Sequence, residues 1–365
     1  MNAADDKPFS LAVTGVGLVT PVDPDAAASV LALNAGLPGL AELDEFPPQA
    51  YWDADAVGVE AVGGSAREVA GGHLGTERLV RLAAPALTQA LEQAGLSPAG
   101  APLPLWQTLP SSARPGRDDR LETLFPGRLE RRCGIPPRRL NCKLILDKGH
   151  ASGIALLTQA AQALKTGAAA QALIGSVDSL VEPPTLLWLE ERGRLKASAR
   201  IDGLMPGEAA GYLVLEKPEQ ASRRGKQPMA LVSNWALTEE PATIWSKRPC
   251  TGQGLAEAIG KTIAPLGPRA AEIGLVVCDL NGERYRAVEW SYADIKTLAP
   301  LGQEPRLWHP ADCIGDTGCA SGLVSLVCAI LALQLALAGT KRALVWSSAD
   351  EGARGSVLVT AANAP

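Results

Sequence analysis

Two stretches of this chain run through the same events in the same order. "GHASGIALLTQAAQALKTGAAAQALIGS" (149–176) and "GCASGLVSLVCAILALQLALAGTKRALVWSS" (318–348) both open on Gly-x-Ala-Ser-Gly. Each continues as an Ala- and Leu-rich helical run, reaches a glycine and closes on a short apolar strand ending in serine. A repeat of this kind constrains a fold more than local propensity does, because both copies must form the same supersecondary unit. Both helical runs read as apolar on every side, and such helices lie between two covering layers. Two similar halves, 1–226 and 227–365, are therefore expected to pack face to face around two central helices. The alternation of β-rich and helical runs makes the class α/β.

Other elements fit this scheme. "SLAVTGVGLVTPV" (10–22) reads as a strand leaving through a Gly-rich turn. "TERLVRLAAPALTQALEQAGL" (76–96) reads as an amphipathic helix closed by its glycine. The Pro-, Gly- and Asp-rich stretch from 36 to 72 reads as surface loops. Leu323 to Ala338 is almost wholly apolar, yet it carries Ser325 and Gln334 and is short for a bilayer span, so a buried helix is expected and no membrane partner.

Composition narrows the function. A net charge of −5 without a basic patch argues against nucleic acid, and the Arg-rich "ARPGRDD" (113–119) and "RLERRCGIPPRR" (128–139) read as solvated loops. Seven cysteines, an odd number with no CxxC, favour reduced thiols and a cytoplasmic location. The three histidines have no metal-ligand spacing, so no metal or cofactor is expected, and His73 and His309 are assigned to loops. "MNAADDKPF" lacks the basic-then-apolar order of a signal peptide.

Several motifs together resemble the β-ketoacyl-ACP synthases. "VTGVGLVTPV" (13–22) is similar to their opening strand. "DGLMPGEAAGYLVLE" (202–216) resembles their DGFVMGEGAGVLVLE, with Asp202, Gly203, Gly207, Glu208, Gly211 and Glu216 in matching places. "GDTGCASG" (315–322) resembles their GHxxGAAG. The resemblance implies a thiolase-like fold, a layered α-β-α-β-α sandwich of two duplicated halves, and a dimer formed across the strand "CKLIL" (142–146). It also marks departures at the reactive positions. His150 stands where the family has its acyl-carrying cysteine, Asn281 and Asp316 stand for the two histidines, and Ala311 stands for the lysine. "SADEGARG" replaces the family's glycine-rich gating loop, placing Asp350 and Glu351 at the pocket. Ser152 and Cys319 fall at pocket-lining positions where close helix packing explains small side chains, and Cys133 and Cys142 read as core or loop thiols.

These departures predict failed condensation. A helix N-terminus favours the neutral form of an imidazole at 150, and an acyl-imidazole hydrolyses too readily to carry a growing chain. Decarboxylation needs donors for the enolate. Asn281 could be one such donor, whereas an ionised Asp316 would repel it. Losing a single such donor costs on the order of 3 kcal/mol in other enzymes. The expectation is therefore a catalytically inactive ketosynthase-like scaffold that binds another protein, as an adaptor or chaperone for an effector such as those of bacterial type VI secretion. Two alternatives stand beside it. One is a chain-length-factor-like subunit that partners an active synthase and its acyl carrier protein. The other is a thioesterase or acyltransferase using His150 with Asp316. Partnership as homodimer or as heterodimer is left open.

Overall fold

The computed structural model describes residues 9–43, 61–145, 148–197, 200–302 and 304–363. Its strands are β1 (Leu11–Val19), β2 (Leu40–Glu42), β3 (Val62–Gly64), β4 (Leu103–Thr108), β5 (Leu140–Leu144), β6 (Gln171–Ser179), β7 (Glu208–Glu216), β8 (Ala230–Glu239), β9 (Ile273–Cys278), β10 (Arg306–Trp308), β11 (Arg342–Ser348) and β12 (Ala353–Ala361). Ten of them form one continuous order, β10-β9-β11-β12-β8-β1-β7-β6-β4-β5, while β2 and β3 form a separate hairpin.

The duplication is written in that order. From each outer end inward, the strands of either half appear as third, second, fourth, fifth and first in chain sequence. The pairing senses match as well: β5·β4·β6 and β10·β9·β11 are parallel, and β6·β7·β1 and β11·β12·β8 are antiparallel. The halves join where Leu11–Val13 of β1 pairs antiparallel with Ala230–Val232 of β8. Three apolar clusters correspond to three helical layers. The central one holds helices Ser152–Thr166 and Ser321–Gln334 with strand residues of both halves. One outer cluster is built on helix Gly75–Ala94, and the other on helices Gln253–Ile263 and Arg284–Thr297. This is the α-β-α-β-α sandwich.

The two Gly-x-Ala-Ser-Gly entries explain each other. Gly149 and Gly318 both have positive φ (+45° and +54°), and each begins a 3-10 turn that runs into a central helix. A side chain at Gly153 would meet the Leu323 amide nitrogen at 2.5 Å, and one at Gly322 would meet the His150 carbonyl at 2.5 Å. The helices therefore touch at their entries, backbone to backbone, and the last glycine of each motif is the contact.

Some local expectations change. Helix Ser321–Gln334 is buried from 321 to 333, but Ser152–Thr166 exposes Thr158, Gln159, Gln162 and Lys165, so only its first turns are enclosed. Gly15 and Gly17 do not turn the chain. They lie within β1, where a Cβ would strike the Ala90 and Ala86 carbonyls of helix Gly75–Ala94 at 2.1 and 1.8 Å. The 36–72 stretch contains β2, β3 and helix Arg67–Ala70, and its residues 44–60 lie outside the described residues. The basic 128–139 segment starts as the end of helix Leu121–Arg132. Leu146, the end of the expected pairing strand, and residues 1–8 also lie outside the described residues.

Two motif glutamates hold the fold. Glu208 is fully buried and is bridged at both oxygens by Arg78 (2.6 and 2.8 Å), with Ser179 Oγ donating at 2.8 Å. Glu216 accepts from Thr14 Oγ1 at 2.6 Å and from Arg224. Just before Glu208, the Gly207 amide donates to the Asp316 carbonyl at 2.8 Å and the Asp316 amide donates to the Met205 carbonyl at 2.7 Å. The 202–216 segment thereby fixes the loop that carries Asp316.

Candidate functional site

Leu109, Leu180 and Asp350, which follow strands β4, β6 and β11, come together, and in open α/β sheets the carboxyl ends of strands are where ligands gather. A cavity of about 330 Å³ opens there. Leu109, Leu180, Trp188, Leu189 and Leu204 are its large apolar lining residues. His150, Ser152, Asp316, Cys319, Asp350 and Glu351 line the rest, together with Arg114 and Arg194.

At its floor His150 Nε2 lies 2.8 Å from Asp316 Oδ1, and Asp316 Oδ2 accepts from Asn281 Nδ2 at 2.6 Å. The Gly318 amide donates to Asp316 Oδ1 at 2.8 Å. Arg286 Nη2 sits 3.3 Å from both ring nitrogens of His150 and 3.1 Å from Asp350 Oδ1. Arg194 joins Glu283 at 2.6 Å to Asp350 at 2.6 Å. The second entry has its own pair: Arg114 binds Asp178, whose Oδ2 accepts the Cys319 amide at 2.8 Å.

The electrostatics run against a neutral imidazole, while Asp316 is an ionised carboxylate that is paired within the site. Burial disfavours the imidazolium, but Asp316 outweighs both burial and the opposing Arg286, so the His150 pKa is raised. Burial would likewise raise the Asp316 carboxyl; His150, Arg286 and the Asn281 amide instead hold it far below the usual carboxylate range. Asp350, half-buried, is held down by Arg194, Arg286 and His150 against the desolvation that would raise it. A helix terminus acts on an imidazole by only a fraction of a charge, so a carboxylate at hydrogen-bond distance prevails. Asn281 is unavailable as an oxyanion donor, since its amide serves Asp316 and Glu283 (3.0 Å) while its carbonyl accepts from the Glu283 amide.

The structure brings His150, Asn281, Asp316 and Asp350 into one hydrogen-bonded network, with Ser152, Cys319 and Glu351 on the same cavity. Ala311 is elsewhere: it begins helix Ala311–Ile314, on the side of Asp316 away from the cavity. Cys319 is buried and its thiol pKa is pushed well up, chiefly by desolvation, with Sγ directed to the Val177 carbonyl at 3.6 Å. The sequence reading missed the cations. Arg114 lies in the segment assigned to a solvated loop, whereas Glu283 and Arg286 sit in the "DLNGERYR" stretch that also supplies Asn281. Alternating charges directly after the apolar strand β9 were the available signal.

No family model matches the chain. It is 28% identical over 203 residues to a polyketide beta-ketoacyl synthase of Streptomyces halstedii, covering 52% of this chain and 48% of that protein. It is 29% identical over 199 residues to erythronolide synthase EryA2 of Saccharopolyspora erythraea, covering 52% of this chain and 6% of that protein. The chain thus spans about half of the first relative and a small part of the second. The ketosynthase of module 6 of the bacillaene synthase from Bacillus subtilis 168 superposes with a TM-score of 0.77 at 15% identity, over 98% of this chain and 72% of that one. The ishigamide ketosynthase/chain length factor gives 0.77 at 18% identity, over 97% of this chain and 100% of that one. These similarities support the ketosynthase, thiolase-like superfamily for this chain.

Proposed function

We propose that this ketosynthase-like chain is a non-condensing, chain-length-factor-like subunit, the partner of an active β-ketoacyl synthase in fatty acid or polyketide synthesis. One observation carries the reading. At the position of the acyl-carrying residue stands His150, with Nε2 engaged by Asp316 and Arg286 against both ring nitrogens. Nε2 is committed to Asp316, and the raised His150 pKa favours the imidazolium, whose nitrogens carry no free lone pair with which to attack a thioester or to activate water, which also counts against the thioesterase alternative. The match to a ketosynthase/chain length factor and to a ketosynthase described with its acyl-carrier protein supports the choice of partners.

A chain-length-factor-like subunit needs an apolar tunnel, and Asp316, Asp350 and Glu351 put charge on this cavity. Asp316 pairs with His150, Asp350 pairs with Arg194 and Arg286, and five apolar residues also line the cavity, so Glu351 is the carboxylate that still counts against the reading. The adaptor or effector-chaperone reading is set behind this one. Two accompanying expectations remain proposals: halves divided at 226/227 and a cytoplasmic location. Seven free thiols fit the latter, and among the described residues no helix is long and apolar enough to cross a membrane.

Co-expression with an active β-ketoacyl synthase from the same organism, followed by assay with malonyl-thioester and that synthase's acyl carrier protein, tests the proposal. A complex that elongates, where this chain alone neither decarboxylates nor hydrolyses, is the expected result. Thioester turnover by the purified chain, lost in His150→Ala, would overturn it.

A further inference from the structure

The charged side chains on the cavity are Arg114, His150, Arg194, Asp316, Asp350 and Glu351, and all but the last are committed to partners inside the protein. Arg114 is balanced by Asp178, and His150 by Asp316. Arg194 and Arg286 serve three carboxylates between them, Glu283, Asp350 and Asp279, one more than their charge balances. Glu351 has no hydrogen bond and no ion pair among the described residues.

Glu351 is exposed, and a side chain at Gly149 would meet its Oε2 at 3.2 Å, which places the carboxylate beside the helix entry that carries His150. The neighbouring cations do not compensate it. Lys148 pairs with Glu239 at 3.4 Å, and Arg192, stacked on Trp188 at 4.6 Å from the ring centroid, does not line the cavity. Even with His150 counted as a cation, negative charge is therefore in excess on and directly beneath the cavity. Leu109, Leu180, Trp188, Leu189 and Leu204 supply apolar surface for the body of a ligand, and the few polar groups of such a site decide which head group it accepts. An unbalanced carboxylate there attracts a cation and repels an anion.

We infer that the cavity takes a small amphiphilic amine, with an apolar body against the leucines and Trp188 and a protonated amine at Glu351, and that it rejects an equal-sized ligand ending in a carboxylate. This selectivity belongs to the chain alone and goes beyond the subunit reading.

Calorimetric titration of the full chain with n-octylamine, n-octanol and octanoate tests it, since these share an apolar body and at about pH 7 carry positive, zero and negative charge. The amine is expected to bind on the order of tenfold more tightly than octanoate, with n-octanol between them, and the gap narrows at about 0.5 M salt. Glu351→Gln removes only an exposed, unpartnered charge. It should weaken the amine by on the order of threefold or more and leave n-octanol unchanged. Glu257→Gln, in a surface pair with Lys261, should alter none of the three. Octanoate binding as tightly as the amine overturns the inference, as does binding of none of the three, an amine preference that survives Glu351→Gln, or an equal loss in Glu257→Gln. The titration needs no synthase, so its failure is distinct from failure of the co-expression assay.

Discussion

His150 and Asp316, 166 residues apart, are joined by a 2.8 Å hydrogen bond that links the two halves at their helix entries. Both side chains are buried, so the contact is a charged tie inside the protein rather than a surface pair. Breaking such a tie from one side leaves an uncompensated charge. Asp316→Ala or His150→Ala is expected to cost about 3–5 kcal/mol, read from denaturant midpoints.

The tie makes stability depend on pH, with a definite sign. The folded pKa of His150 is raised above the ordinary 6.5, so its contribution is complete below that value and is lost as pH climbs through the folded pKa. Asp316 is lowered from 3.8, so its contribution is complete above that value and is lost only far into acid. Tm is therefore expected to fall as pH rises above 6.5. In His150→Ala this slope should flatten. An unchanged slope in the variant would assign the dependence to another group.

The helix entries give a second set of expectations. Gly153→Ala and Gly322→Ala each drive a methyl to 2.5 Å from opposing backbone, which cannot rotate away. Each should destabilise by about 1–3 kcal/mol. Gly260→Ala, in helix Gln253–Ile263 with nothing within 4 Å of the added methyl, should instead stabilise by about 0.5–1 kcal/mol. Urea unfolding of the three variants separates crowding from propensity.

The fully buried Arg78–Glu208 pair ties helix Gly75–Ala94 to the start of β7. Arg78→Met is expected to lower stability by about 3–5 kcal/mol, because Glu208 would stay buried without its cation. A double change, Arg78→Met with Glu208→Gln, should recover part of that loss in a double-mutant cycle.

Thiol chemistry checks the cavity. Desolvation pushes the Cys133 and Cys142 thiols up to about 11 and about 12, and it raises Cys319 well above its ordinary value. In native protein at pH 8, iodoacetamide should leave Cys319 unmodified over a time in which denatured protein reacts fully, as peptide mass spectrometry would show. His150→Cys alone should not create condensing activity, since Asp316 and Asn281 remain and the new thiol faces a carboxylate. Elongation by that variant would contradict this account of the floor.

Much of the architecture was determined by the sequence, for physical reasons. Gly-x-Ala-Ser-Gly before a run of apolar residues can be met twice only by two equivalent helix entries, and the twin strand orders follow from that duplication. The 202–216 motif likewise specified a buried segment, because its glycines and glutamates have partners only in one packing. Short-range pattern also assigned His150, Asn281 and Asp316 to one site through family resemblance. It could not give their charge. Whether an imidazole at a helix entry is neutral depends on which carboxylate lies at hydrogen-bond distance, and Asp316 arrives from the other half of the chain. Tertiary structure alone brought Arg286 and Arg194 around that pair, and it alone removed Ala311 from the cavity. Coulomb interactions between buried groups are decided by distances of a few ångströms, which sequence spacing does not encode.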